Sequence, residues 1–133
     1  MMDQETHPTY LVSVVDDDTA VRRSLGNLLE SAGLMAEFFA SAEDFLRSSK
    51  ADQRCCLVLD VHLPQMSGIE LQRLLLSNCD AVPIIFITAH TDNNLKVQAL
   101  RDGALDFFHK PFDAEALLAA VQTAVSRTGH RSS

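Results

Sequence analysis

Five short apolar runs alternate with helix-like segments along this chain of 133 residues. The third run, Cys56–Leu59, is apolar throughout and leads into Asp60, which is typical of a strand buried on both faces of a sheet. Parallel strands require crossover segments such as helices, and right-handed crossovers leave few possible topologies. The alternation therefore predicts an α/β fold with a parallel sheet covered on both faces. Among the few topologies left, we choose a flavodoxin-like (βα)5 three-layer sandwich with the strand order 2-1-3-4-5.

Turn residues and helix caps set the expected limits of these elements. We expect strands at Tyr10–Val15, Met35–Phe39, Cys56–Leu59, Pro83–Thr88 and Leu105–Phe108. We expect helices that begin near Asp18, Ser41, Ser67, Asn93 and Asp113. In the fourth helix, Val97 and Leu100 are expected to face inward. Lys50–Arg54 is expected to be a polar connection, and Arg127–Ser133 a frayed tail.

Length and composition favour a single domain of ordinary globular character. The chain has no apolar run near roughly 18 residues, and Met1–Thr9 lacks a signal-peptide pattern, so we expect a cytoplasmic protein that does not bind membranes. The formal net charge of −7 also argues against direct nucleic-acid binding, because an acidic surface repels phosphates.

The three cysteines indicate neither a disulfide framework nor a zinc site. Cys55, Cys56 and Cys79 are odd in number and lack the Cys-x-x-Cys spacing of such sites. We expect them to be small buried hydrophobic residues in a reducing compartment.

Polar side chains follow four of the five predicted strands. They are Asp16, Asp17 and Asp18 after the first strand, Asp60 after the third, Thr88 at the end of the fourth and Lys110 after the fifth. Because the carboxyl ends of parallel strands lie at one edge of a sheet, we expect these residues to converge. Clustered carboxylates repel one another in a low-dielectric crevice, and such hard oxygen ligands suit Mg²⁺. An aspartate, a metal ion and a lysine are the groups needed for phosphoryl transfer to a carboxylate.

Parts of this set also occur in proteins of other classes. Taken singly, each residue has an ordinary role as a helix cap, a turn or a strand residue, so the inference depends on the whole set. A haloacid-dehalogenase-like phosphatase also uses an aspartate nucleophile, Mg²⁺ and a lysine, but it needs a second aspartate where this chain has His62. A flavodoxin-like cofactor binder needs a Ser/Thr/Gly-rich phosphate loop where this chain has three aspartates. Both alternatives are therefore disfavoured.

Four segments have the order and spacing of a known family: Val15–Asp18, Leu59–Gly68, Ile87–His90 and Asp106–Phe112. With them the chain resembles a response-regulator receiver domain, in particular the receivers of FixJ-like transcriptional regulators. The resemblance covers about 11–125. We accordingly predict a receiver domain over 10–127, a disordered or frayed N-terminus over 1–9, and a tail or the start of a linker to a missing output domain over 128–133.

The resemblance implies a role in two-component signalling. Asp60 would accept a phosphoryl group from a sensor histidine kinase. Asp17, Asp60 and the backbone carbonyl of His62 would bind Mg²⁺ or Mn²⁺, and Asp16 would assist, mainly through water. Thr88 would form a hydrogen bond with the phosphoryl group, Lys110 would pair with it, and the Lys110–Pro111 peptide bond would be cis.

The resemblance also implies a switch. Thr88 would move toward the phosphoryl group, and Phe107 would fill the space that it leaves. The face formed by helix 4, strand 5 and helix 5 would then change and form a homodimer that controls an output such as transcription. A stand-alone receiver that acts through protein contacts is the alternative. In either case we expect that the protein is not an enzyme and that it only hydrolyses its own phosphoryl group slowly.

Two histidines depart from the expected pattern. His62 lies two residues after Asp60, and His90 lies two residues after Thr88, at positions that flank the phosphoryl group in similar proteins. Their imidazoles would shield the aspartyl phosphate and tune its lifetime, or one of them would orient an attacking water. They could instead be solvated loop residues, or bind a transition metal beside Asp60.

Overall fold

The computed structural model describes residues 11–48, 54–90 and 93–131, so the predicted frayed N-terminus lies outside the described residues. The strands are β1 (Leu11–Val15), β2 (Met35–Phe39), β3 (Arg54–Asp60), β4 (Ile84–Thr88) and β5 (Asp106–His109). The helices are α1 (Thr19–Ser31), α2 (Ala42–Arg47), α3 (Gly68–Ser77), α4 (Asn93–Arg101) and α5 (Ala114–Arg131). All five strands are parallel and lie in the order β2-β1-β3-β4-β5. The predicted fold and strand order are confirmed.

The central strands are buried on both faces, as their uniformly apolar sequences predict. Every residue of β1 and β4 is buried, and so is every residue of β3 after Arg54. Successive side chains point to opposite faces of the sheet. Val58 belongs to the apolar cluster beneath α1 and α5, whereas its neighbour Leu59 belongs to the cluster beneath α2, α3 and α4. The sheet is therefore the middle of three layers.

Strand β3 begins at Arg54, two residues earlier than predicted. The Arg54 guanidinium is buried against the Phe45 ring, with its central carbon 4.0 Å from the ring centroid. It also donates hydrogen bonds to the backbone carbonyls of Phe45 and Ser48. A charged residue that is stabilised in this way by α2 can occupy a strand, so its polarity did not indicate a loop.

The orientation predicted for α4 is wrong. Val97 and Leu100 are exposed by 52% and 39%, whereas Ala99 is fully buried. The small Ala99 side chain and the partly buried Leu95 pack against the apolar cluster below the sheet. Val97 and Leu100 lie on one face of the helix, as their spacing of three residues predicts, but that face is exposed to solvent.

Two further expectations differ from the structure. Helix α5 continues to Arg131, so the predicted frayed tail is helical over its first residues, from Arg127 onward. Cys55 and Cys56 are buried, as expected, but Cys79 is exposed and has a φ of 60° in the turn after α3. Among the described residues, no helix has the length and apolar character needed to span a bilayer.

Candidate functional site

Three aspartates converge at the carboxyl edge of the sheet. Asp16 and Asp17 follow β1, and Asp60 ends β3, which pairs with β1 through Val15 and Leu59. One carboxylate oxygen from each aspartate lies within 4.8 Å of the others. Asp16 and Asp60 are buried, whereas Asp17 is exposed. The pairing of β1 with β3 therefore creates an acidic cluster that is closed on its inner side and open toward Asp17.

Asp18 has a separate, structural role. Its carboxylate accepts a hydrogen bond from the backbone N–H of Ala20 and caps the start of α1. Its own N–H donates to Oδ1 of Asp16 at 2.9 Å. Asp18 therefore orients Asp16 through its backbone, and its side chain is not part of the acidic cluster.

Lys110 supplies a positive charge inside this cluster. Its Nζ atom lies 2.8 Å from Oδ2 of Asp16 and 3.4 Å from Oδ2 of Asp60. The backbone N–H of Lys110 donates to the carbonyl of Thr88 at 2.7 Å, and the Lys110–Pro111 bond is cis, as predicted. Burial lowers the pKa of Lys110, but the hydrogen bonds and charges of Asp16 and Asp60 outweigh this effect, and the net pKa is raised. Lys110 is therefore a cation held between two carboxylates.

The surroundings of Asp60 favour its protonated form. Burial and then the neighbouring charge of Asp16 raise its pKa to about 6. The Lys110 ammonium and the backbone N–H of His62, which donates to Oδ1 of Asp60 at 3.2 Å, oppose this rise. An additional positive charge near Asp60 would favour its ionised form, which is the form that can act as a nucleophile.

Thr88 presents a buried hydroxyl at the end of β4. Its Oγ1 atom accepts a hydrogen bond from the backbone N–H of His90 at 3.1 Å. Asp60 pairs with Ile87, the residue before Thr88, so the hydroxyl lies on the strand adjacent to the acidic cluster. A hydroxyl that accepts one hydrogen bond can still donate its own proton to a second oxygen.

The side chains of His62 and His90, whose backbones border the site, contact each other. The ring centroids of His62 and His90 are 4.1 Å apart, and the ring planes are inclined by 62°. Both residues are exposed. The sequence predicts that each flanks the site and offers a shared transition metal as one alternative, but it does not predict a direct contact between the rings.

Gly68 is a site residue to which the sequence assigned no role beyond the start of α3. A Cβ atom at this position would lie 2.3 Å from the backbone oxygen of Asp60, well inside contact distance. The N–H of Gly68 donates to the carbonyl of Val61 at 2.9 Å. Glycine is a poor helix residue, so its presence in the first turn of α3 is the signal for this close approach.

The predicted switch residue lies below the site. Phe107 is buried in β5, and its ring centroid is 5.9 Å from that of Phe86. Its register partner on β4 is also Phe86, two residues before Thr88. Phe107 and Thr88 are therefore on neighbouring strands.

The donor set of the acidic cluster fits a hard divalent cation. It consists of carboxylate oxygens, the ligands preferred by Mg²⁺ and also suited to Mn²⁺. Oδ2 of Asp16 is buried, and its contact with the Lys110 ammonium leaves lone pairs unused. A buried carboxylate oxygen of this kind is chemically suited to a cation that enters from the exposed side at Asp17.

Residues 12–122 match the response regulator receiver domain family, which is most of the chain. The chain belongs to this family. The receiver domain is 44% identical over 125 residues to response regulator protein TmoT from Ectopseudomonas mendocina, and 42% identical over 120 residues to transcriptional regulatory protein FixJ from Azorhizobium caulinodans. These matches cover 94% and 90% of the chain but only 55% and 57% of the two relatives. The chain thus spans about half the length of these relatives.

A solved structure supports the same assignment. The receiver domain superposes on the response regulator StyR with a TM-score of 0.86 and 46% sequence identity, over 92% of this chain and 62% of that one. The predicted resemblance to receivers of FixJ-like regulators is confirmed. This chain is therefore a receiver domain of two-component systems, and its relatives include transcriptional regulators.

Proposed function

We propose that this receiver domain works in the cytoplasm and accepts a phosphoryl group on Asp60 from a sensor histidine kinase. The observation that carries the proposal is the position of Lys110, whose ammonium contacts both Asp16 and Asp60. A lysine held against two carboxylates can pair with a phosphoryl oxygen after one carboxylate is modified, and it can neutralise charge during the transfer. Asp60 is the proposed acceptor because it lies at the end of the central strand β3 and beside Lys110.

The proposed transfer needs few chemical groups from the protein. A carboxylate oxygen of Asp60 forms a bond to phosphorus as the phosphorus–nitrogen bond of the kinase phosphohistidine breaks. The electron pair of that bond remains on the leaving imidazole nitrogen. The Lys110 ammonium and the Thr88 hydroxyl stabilise the oxygens of the transferred group by charge and by hydrogen bonding. Efficient transfer depends on alignment of the donor with Asp60.

Asp17, Asp60 and the backbone carbonyl of His62 are the proposed ligands of Mg²⁺ or Mn²⁺, and Asp16 is proposed to assist, mainly through water. When bound, the ion would supply positive charge that offsets the mutual repulsion of the aspartates and of the incoming phosphoryl oxygens. The support from this chain is the carboxylate cluster and the unused lone pairs of Asp16.

A groove beside the site is the proposed docking surface for the kinase. It has a volume of about 490 Å³ and is lined by residues of α1 and of the segment after β5, including Val21, Lys110, Pro111 and Phe112. The groove borders Lys110, so a partner bound there would reach the acidic cluster. Its apolar residues next to a charged site are suited to a protein partner.

The proposed output is a change of the surface formed by α4, β5 and α5. A phosphoryl group on Asp60 would attract the Thr88 hydroxyl, and the buried ring of Phe107 on the neighbouring strand would respond. The exposed Val97 and Leu100 on α4 supply apolar area for homodimerisation. Control of transcription is the favoured output, and a stand-alone receiver is the alternative. In both cases this chain would not contact nucleic acid itself.

His62 and His90 are proposed to tune the lifetime of the aspartyl phosphate. Their rings form a contact at the mouth of the site, and this contact would hinder the approach of water to phosphorus. Hydrolysis of the chain's own phosphoryl group would then be slow, and the domain would act as a signalling module and not as an enzyme.

The test is direct phosphorylation. Incubation with acetyl phosphate and Mg²⁺ should add about 80 Da to the intact protein, and Asp60→Asn should abolish the adduct. The control is Asp113→Asn, because asparagine also caps a helix such as α5 and the residue lies outside the acidic cluster. An adduct that persists in Asp60→Asn, or that is absent from the wild type, would contradict the proposal.

A further inference from the structure

The imidazoles of His62 and His90 lie together in solvent while their backbones are fixed to the site. The His62 N–H donates to Oδ1 of Asp60, and the His90 N–H donates to Oγ1 of Thr88. The two ring centroids are 4.1 Å apart, and both residues are exposed. Two separate loops therefore bring two nitrogen ligands to one place at the mouth of the acidic cluster.

Paired imidazoles have a ligand chemistry different from that of the aspartates below them. Carboxylates suit Mg²⁺ and Mn²⁺, whereas imidazole suits Cu²⁺, Ni²⁺ and Zn²⁺. A metal–nitrogen distance of about 2.0–2.1 Å requires a ring nitrogen from each side chain to point at one ion. Since the rings are at the surface, their side chains can rotate into that arrangement without disturbing a packed core.

We propose that His62 and His90 chelate one transition-metal ion over the phosphoacceptor Asp60. Among the described residues, Asp16, Asp17 and Asp60 form a group of three possible metal ligands whose oxygens lie within 4.8 Å of one another. Neither histidine belongs to this group. The proposed ion is therefore held by two imidazoles, with water in its remaining positions. Such a site exchanges its metal readily and is distinct from the carboxylate site for Mg²⁺.

The proposed consequence is inhibition of phosphorylation. An ion and its waters above Asp60 would obstruct the approach of a phosphodonor to the carboxylate. This second step rests on the proposed function of Asp60, whereas metal binding by the two histidines does not. The two steps can therefore be tested separately.

Metal binding is measured by calorimetric titration with Cu²⁺, Ni²⁺ and Zn²⁺ in excess Mg²⁺, which competes for the carboxylates. All proteins carry Cys79→Asn, which removes the exposed thiol and suits the positive φ at this position. One ion per chain is expected to bind. His62→Ala and His90→Ala should each lower the affinity by at least roughly tenfold, because a chelate loses its second arm. The control replaces His7, His109 and His130 with alanine and should bind like the parent.

The location of the ion is checked by electron paramagnetic resonance with Cu²⁺, where two coordinated nitrogens are expected in the parent and one in each single variant. Equal affinity in all variants, or affinity lost in Asp17→Asn but not in His90→Ala, would overturn the site.

The second step is tested with acetyl phosphate in Mg²⁺, with and without Zn²⁺. Zinc should slow formation of the adduct in the parent and have little effect in His90→Ala. Zinc binding without this difference would overturn the inhibitory role. Absence of the adduct even without zinc would instead contradict the proposed function and leave the binding result in place.

Discussion

Gly68 lies so close to Asp60 that a Cβ atom at Gly68 would be 2.3 Å from the backbone oxygen of Asp60. The first turn of α3 thus contacts the backbone of the proposed phosphoacceptor directly. Because the blocking atom belongs to the backbone of β3, the clash cannot be relieved by rotation of a side chain. The position of Asp60 relative to Lys110 therefore depends on the absence of a side chain at Gly68.

Gly68→Ala is expected to displace Asp60 and to slow its phosphorylation by roughly tenfold to hundredfold, because transfer is sensitive to small misplacements. Overpacking of this kind is also expected to lower the free energy of unfolding by about 1–3 kcal/mol. Adduct formation by mass spectrometry and urea denaturation measure the two effects. The control is Gly26→Ala in α1, where the added Cβ meets the Phe38 ring at 3.1 Å. Wild-type phosphorylation of a folded Gly68→Ala protein would contradict the expected displacement.

The raised pKa of Asp60 makes stability depend on pH in a defined direction. The pKa is raised from 3.8 to about 6, so between these values the folded state binds the proton more tightly than the unfolded state. The Asp60 contribution to stability is therefore lost as pH rises from about 4 to about 6, by up to about 3 kcal/mol.

Asp60→Asn should remove this dependence. In buffer containing a chelator, the free energy of unfolding of Asp60→Asn minus that of the wild type should increase from pH 4 to pH 7 and then level off. Urea denaturation at each pH measures the difference, which cancels the titration of acidic residues that do not interact with Asp60. A constant difference across this range would show that burial and Asp16 do not raise the pKa of Asp60 in solution.

The sequence was sufficient for the parallel α/β fold and for the convergence of the aspartates at one sheet edge, because both follow from the alternation of apolar runs with helical segments. The strand order was a choice among the few topologies that right-handed crossovers allow. It was insufficient where a tertiary contact decides the outcome. Ala99 faces inward on α4 although Val97 and Leu100 are more hydrophobic. The contact between His62 and His90 depends on the conformations of two loops, which residue spacing does not determine.

His62 and His90 are expected to lengthen the lifetime of the aspartyl phosphate. His62→Ala and His90→Ala should each speed loss of the adduct several-fold after the phosphodonor is removed, because water then reaches phosphorus more easily. Intact mass is followed over time in Mg²⁺ buffer stripped of transition metals, with His7→Ala as the control. Unchanged lifetimes would exclude tuning, and longer lifetimes would favour orientation of an attacking water.

The exposed apolar residues of α4 are expected to form part of the phosphorylated homodimer. Val97 and Leu100 are exposed, and their replacement with glutamine keeps good helix formers at both positions. The double variant should accept the phosphoryl group but remain monomeric by sedimentation velocity, whereas the phosphorylated wild type dimerises. Leu76→Gln is the control, because Leu76 is 51% exposed on α3. The interface would be contradicted if the phosphorylated double variant dimerises. It would also be contradicted if the phosphorylated wild type remains monomeric.

Gln72 is expected to hold the last turns of α4 against α3. It is buried on α3, and its Nε2 donates to the carbonyl of Ala99 at 3.1 Å. The same carbonyl also accepts from the N–H of Ala104, so it keeps a partner when the amide is removed. Oε1 of Gln72 is buried and forms no hydrogen bond, which makes the amide a small net contributor to stability.

Gln72→Met should therefore change the free energy of unfolding by less than about 1 kcal/mol while α4 becomes less well anchored. Hydrogen exchange of the α4 amides should accelerate relative to those of α5. Gln122→Met, an exposed substitution on α5, is the control. Exchange in α4 that is unchanged in Gln72→Met would mean that the burial of Ala99 alone holds the helix in place.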